Sequence, residues 1–230
     1  DQFIDSLRVH SHKRLSAVAV WDVHSGETLK RLEKLNGRLN RPEIVSLTAM
    51  PLFADKLKED RLLDNGQIYV ASPDFGGFTK ALQMANSLCK KFIFIDKERP
   101  EPNRVEVKGV YLINADGTVV KLDKTFLKGI TVIFIDDSLD TGGTAIDDSR
   151  IVKKAGAAKA IFLGTHAIFS DPPPVVEGGK PRKTLKEALG EEIIDYIYVS
   201  DSLPQYKKLN HPRARYISLA KPIAALVRIA

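Results

Sequence analysis

The stretch VIFIDDSLDTGGT, residues 132–144, decides both the fold class and the chemistry of this chain. Val132, Ile133, Phe134 and Ile135 form an unbroken apolar run, the pattern of a strand covered on both faces within a parallel sheet. Asp136 and Asp137 follow at the strand tip, the sheet edge where open α/β folds bind ligands. Two adjacent carboxylates there can accept hydrogen bonds from a pair of ribose hydroxyls or hold Mg2+ through water. Asp140, Thr141, Gly142, Gly143 and Thr144 then form a tight loop that opens a helix. The two glycines let backbone N–H groups close on a phosphate, and the helix N-terminus and two hydroxyls add donors. A simple helix cap needs only one Asp or Thr. Every position here suits a phosphorylated ribose.

Outward from this segment, helical and strand patterns alternate, which predicts an α/β protein with a mainly parallel sheet. Helices are expected over residues 3–15, 51–58, 78–90, 144–155 and 222–229. Strands are expected over 17–21, 44–47, 68–71, 92–95, 131–135, 160–164, 193–199 and 215–219. Residues 105–113 and 118–122 read as a hairpin around Asn114-Ala115-Asp116-Gly117, whose Asp-Gly pair supplies turn chemistry. The run DKERPEPN, residues 96–103, has two prolines and five charges and reads as an exposed, mobile loop. Residues 171–183, with three consecutive prolines, read as a surface insertion.

Bulk composition narrows the class. The chain has 230 residues, 43% hydrophobic and 28% charged, in the range of an ordinary soluble enzyme. One cysteine, Cys89, excludes an internal disulfide framework and suits a reducing, cytoplasmic setting; its apolar surroundings suggest a packing role. No apolar run reaches membrane-span length, and the first residues, DQFIDSLRVH, do not read as a signal peptide. The net charge of +6 suits an anionic partner. The basic residues form no dense block and lack interleaved aromatic platforms, so a small phosphorylated metabolite is expected and nucleic acid is not. His10 and His12 have no partner cluster and are not read as metal ligands.

Residues 132–144 resemble the phosphoribosyl-pyrophosphate (PRPP) motif of type I phosphoribosyltransferases, which ribose-phosphate diphosphokinases, the PRPP synthetases, share. Five further segments resemble the synthetases in the right order. Ser72-Pro73-Asp74-Phe75-Gly76-Gly77 is similar to their SPDxGG. Asp96-Lys97-Glu98-Arg99-Pro100 is similar to the Lys-x-Arg of their flexible catalytic loop. Thr165 to Ser170 resembles THGxFS, and Val199 to Pro204 resembles VTDTIP. Asp22-Val23-His24 stands where they carry Asp-Leu-His. If residues 22–24 continue a strand, Asp22 and His24 share a face.

The resemblance implies two phosphoribosyltransferase-type lobes with mainly parallel sheets flanked by helices. Residues 1–48 would belong to an incomplete N-terminal lobe, and residues 49–230 to the C-terminal lobe that carries the ribose-phosphate loop. It implies transfer of the β,γ-diphosphoryl group of ATP to ribose 5-phosphate, giving PRPP and AMP with Mg2+. In that scheme residues 140–144 hold the 5-phosphate, and Asp136 and Asp137 hold the ribose hydroxyls. His24 and Asp74 organise the metal, and Lys97 and Arg99 neutralise charge on the transferring group. By resemblance alone, a homo-oligomer built on dimers, up to a hexamer, is expected.

The chain departs from the synthetase pattern in places. Their earlier N-terminal stretch, with its adenine-binding segment, has no counterpart in these residues. Gly26-Glu27-Thr28-Leu29 replaces the usual run after the histidine, and Lys80 stands where an arginine is usual. Three alternatives therefore stay open: a transferase consuming PRPP, a diphosphokinase with another ribosyl phosphate acceptor, and a non-catalytic regulatory synthetase paralogue.

Overall fold

The computed structural model describes residues 17–24, 26–34, 43–64, 66–74, 76–101, 104–114, 116–123, 125–171, 183–204 and 208–229. The chain divides into two compact units, residues 1–49 with 219–230, and residues 50–218.

In the first unit, β1 (Ala17–Trp21) and β2 (Glu43–Leu47) pair in parallel, with α1 (Gly26–Glu33) between them in the chain. Ile44 is buried there against Val18, Val20 and Leu32. Helix α6 (Ala220–Ile229) groups with this unit. The helix predicted over residues 3–15 lies outside the described residues.

The second unit is built on one eight-stranded sheet. Its strands are β3 (Ile68–Ser72), β4 (Lys91–Glu101), β5 (Arg104–Ile113), β6 (Val119–Leu122), β7 (Thr131–Leu139), β8 (Lys159–Ala167), β9 (Tyr196–Ser200) and β10 (Ala214–Ile217). Their spatial order is β10-β9-β8-β7-β3-β4-β5-β6. The strands from β10 to β4 run parallel, and β5 and β6 extend one edge by antiparallel pairing. The helices are α2 (Met50–Glu59), α3 (Phe78–Ser87), α4 (Gly143–Lys154) and α5 (Leu185–Gly190).

The apolar run of residues 132–135 takes the central place that its composition demands. All four side chains are fully buried. Burying each of them favours the fold by roughly 1.5–3 kcal/mol, and only an interior strand recovers that on both faces. Phe134 stacks on Phe162 of β8, with ring centroids 4.6 Å apart. The α/β class with a mainly parallel sheet flanked by helices is therefore borne out. Among the described residues, no helix is long and apolar enough to cross a membrane.

Four local readings change. Residues 96–101 form no loop but continue β4, because pairing with β5 supplies their backbone hydrogen bonds. Helix α3 stops at Ser87, and Cys89 sits exposed in a left-handed turn with φ 51°, not packed in a helix. Helices α1 and α5 occupy segments for which the sequence suggested no element. β1 ends at Trp21, and Asp22 adopts φ 38°, so strand alternation does not carry on to His24.

Candidate active site at the carboxyl ends of β3 and β7

After β3 the chain moves outward in one direction, to β4, β5 and β6. After β7 it moves the other way, to β8, β9 and β10. The crevice between the carboxyl ends of β3 and β7 is thus the switch point of the sheet, the place where neighbouring connections diverge and leave room for a ligand. Asp74 follows β3, and Asp136 lies near the end of β7, so topology brings two of the sequence candidates to this crevice.

The loop after β7 frames a pocket of 250 Å3 lined by Asp136, Ser138, Asp140, Thr141, Gly143 and Thr144, among others. Gly142 is the N-cap of α4 with φ 79°, a left-handed conformation suited to glycine. It offers no side-chain cap, so the first N–H groups of α4 are left for an outside acceptor. Asp140 Oδ1 accepts the Ser170 N–H at 3.2 Å, tying the loop to the segment after β8. Asp137 is buried and does not line this pocket.

Asp74 is held by its own turn. Its Oδ1 accepts the Gly77 N–H at 3.0 Å, and its carbonyl accepts the Ser72 hydroxyl at 2.5 Å. Gly77 fits closely: a β-carbon there would lie 2.7 Å from Ser72 Oγ and 3.3 Å from the Ile135 carbonyl oxygen. The start of α3 is thereby pressed against β7 beside Asp136.

Asp136 Oδ1 accepts the Asp137 N–H at 2.8 Å. Burial pushes its carboxyl up to about 7, and the neighbouring carboxylates of Asp137 and Asp74 add to the shift. Negative charge has been concentrated faster than the protein neutralises it. A group poised this way can exchange a proton near neutrality, or lose it to a divalent cation that supplies the missing positive charge. Its oxygen donors suit Mg2+ completed by water or phosphate oxygens. Among the described residues, no three His, Cys, Asp or Glu side chains converge as a ready-made metal cage.

Lys97 reaches the same region from β4. Its ammonium donates to the Pro73 carbonyl at 2.5 Å and to Asp148 Oδ1 on α4. Arg99 belongs to β4 by its backbone, and its side chain lies outside the described residues. His24 is exposed and belongs to the first unit. Near it, Asp22 is a structural tie: its Oδ2 accepts the Ala49 N–H at 2.8 Å and its N–H donates to the Leu47 carbonyl at 2.9 Å. Of the predicted residues, Asp74, Lys97, Asp136 and the 140–144 loop are associated through β3, β4, β7 and α4.

Two residues at the site were not predicted. Ser138 lines the pocket, two places after Asp136 on the same strand face. Asp148 stands four residues after Thr144, and that helical spacing was the available signal.

Comparison with known proteins gives this geometry a context. Residues 47–172, more than half of the chain, match the phosphoribosyl transferase domain family. A ribose-phosphate pyrophosphokinase of Mycoplasma pneumoniae is 31% identical over 90% of this chain and 53% of its own length. One from Aquifex aeolicus is 30% identical over 92% of this chain and 56% of its own. The chain thus spans about half the length of these curated relatives. The crystal structure of a phosphoribosylpyrophosphate synthetase from Mycobacterium smegmatis has the same fold, with a TM-score of 0.67 at 22% identity over 98% of this chain and 61% of that one. The chain belongs to the phosphoribosyl transferase domain family, as a relative of the ribose-phosphate pyrophosphokinases.

Proposed function

We propose that this chain carries the ribose-phosphate half of a ribose-phosphate diphosphokinase, which transfers pyrophosphate from ATP to ribose 5-phosphate. The observation that carries this reading is the placement of Lys97. A sugar-phosphate pocket alone would serve an enzyme that makes PRPP or one that consumes it. A strand-borne ammonium at the Asp74 end of the crevice is a component that pyrophosphoryl transfer needs, because negative charge must be neutralised as the phosphorus–oxygen bond changes hands.

On this reading the N–H groups and hydroxyls of residues 140–144 hold the 5-phosphate. Asp136 and Asp137 bind the ribose 2- and 3-hydroxyls, directly or through a cation. This fixes the C1 oxygen for in-line attack on the β-phosphorus of ATP. The new bond joins the C1 oxygen to that phosphorus, the bond from the β-phosphorus to the oxygen bridging it to the α-phosphorus breaks, AMP leaves with that oxygen, and the C1 hydroxyl proton passes to solvent. Lys97, with Arg99, neutralises charge on the group in flight. Asp74 would serve Mg2+, which when bound screens the nucleotide's phosphates, and His24 is the metal ligand proposed in the first unit. Residues 1–48 belong to an N-terminal phosphoribosyltransferase-like lobe, and residues from 49 onward to the lobe that carries the loop. A dimer-based homo-oligomer in the cytoplasm completes the proposal, and light scattering tests the oligomer.

The test is AMP release from ATP and Mg2+ with and without ribose 5-phosphate. Acceptor-dependent AMP is expected, and Lys97→Ala should lower turnover by about 10²-fold or more. Pyrophosphate release from PRPP with a free base, and no AMP from ATP, would assign the pocket to a transferase.

A further inference from the structure

Lys97 is not presented to solvent. Its side chain is 15% exposed, and the Asp148 carboxylate that it meets is 1% exposed. A carboxylate so enclosed is stable only when paired, so the contact is a structural commitment and not an incidental surface pair. Three features aim it. Asp96 pairs with Gly109 and Lys97 with Val107, so the register slips by one residue on β5 at this point. Such a bulge re-aims a side chain. The Pro73 carbonyl, beside Asp74, takes a second ammonium hydrogen at 2.5 Å. Finally, Asp148 and Thr144 lie one turn apart on the same side of α4, and Thr144 lines the phosphate pocket.

We propose that Asp148 is a positioning residue for Lys97. It pins the β4–β5 hairpin to the helix whose N-terminus forms the phosphate pocket, and so sets the ammonium at the crevice before any ligand arrives. Ordering that would otherwise fall on the binding step is already present in the free chain. The catalytic part of this inference rests on the diphosphokinase reading, whereas the docking of Lys97 does not.

The experiment uses the full chain without ligands. Lysine amines are acetylated with an N-hydroxysuccinimide ester, and the rate at Lys97 is read by mass spectrometry against exposed lysines such as Lys30. Wild-type Lys97 should react at least about fivefold more slowly than those lysines, as expected of an enclosed amine. Asp148→Asn should remove most of that protection, and Asp148→Glu should restore part of it. In the acceptor-dependent AMP assay, Asp148→Asn should lower kcat more than it raises KM for ribose 5-phosphate. Wild-type Lys97 reacting as fast as exposed lysines would overturn the proposal without any variant. So would unchanged Lys97 protection in a folded Asp148→Asn chain. Protection that depends on Asp148 in a chain making no AMP would keep the docking and reject the diphosphokinase reading.

Discussion

Gly142, in its left-handed conformation, packs against the side chain of Leu185 so closely that a β-carbon at Gly142 would overlap the leucine. The loop of residues 140–144 is therefore shaped from behind by α5. Gly142→Ala meets two penalties, the positive φ and the collision, and should cost about 1–3 kcal/mol of stability. The loop must also shift, so affinity for ribose 5-phosphate should fall by about tenfold or more, since a misplaced donor set loses much of its binding. Chemical denaturation and calorimetric titration check the two effects separately.

The crowded carboxyl of Asp136 predicts a pH dependence. Its folded pKa, about 7, stands above the ordinary carboxylate value of 3.8. Below the ordinary value both states are protonated, and the extra proton affinity of the folded state favours folding in full. As pH rises from about 4 through about 7, the unfolded chain ionises this carboxyl while the folded chain still holds its proton, and that contribution is lost. Asp136→Asn should therefore raise the melting temperature of the ligand-free chain at pH 8 by several degrees, at ~2–4 °C per kcal/mol. At pH 4 it should change little. Mg2+ should stabilise the wild type more at pH 8 than at pH 5, and should lose much of that effect in Asp136→Asn. Thermal melts across pH, with and without Mg2+, measure all three.

Away from the crevice, the Tyr198 hydroxyl donates to Asp60 at 2.6 Å, and Arg215 approaches the same carboxylate at 3.3 Å. Burial, with the Asp60 carboxylate beside it, raises the phenol's pKa and keeps it a donor. Tyr198→Phe leaves the carboxylate short of a hydrogen bond and should cost about 1–3 kcal/mol. Because this network does not contribute to the pocket, kcat for AMP release should be unchanged. A matched loss of activity and stability would place the network in the catalytic machinery.

How much of this was legible in the sequence depends on the range of the interaction. Residues 132–135 could be read because burial on both faces demands an unbroken apolar run, and the Asp-Gly turn because its chemistry is local; Gly117 has φ 83° there. Residues 96–101 misled because charge and proline speak for exposure, whereas strand identity came from pairing with β5, which composition does not encode. Helix α5 did carry a local signal. Thr184 and Glu187 form a capping box, hidden beside a proline-rich stretch. Asp22 looked like a strand continuation that shares a face with His24, and its backbone turn is visible only in three dimensions. The Lys97–Asp148 pair joins residues 51 positions apart, and no local pattern announces it.

The central claim, that residues 140–144 receive the phosphate of a phosphorylated ribose, is tested most directly by backbone amide shifts. Isotope-labelled chain is titrated with ribose 5-phosphate and, separately, with ribose. The account predicts that ribose 5-phosphate moves the amides of Thr141, Gly142, Gly143, Thr144 and Ala145 most, in saturable fashion, and that ribose moves them little. Saturable shifts centred elsewhere, or equal responses to the two sugars, would contradict it.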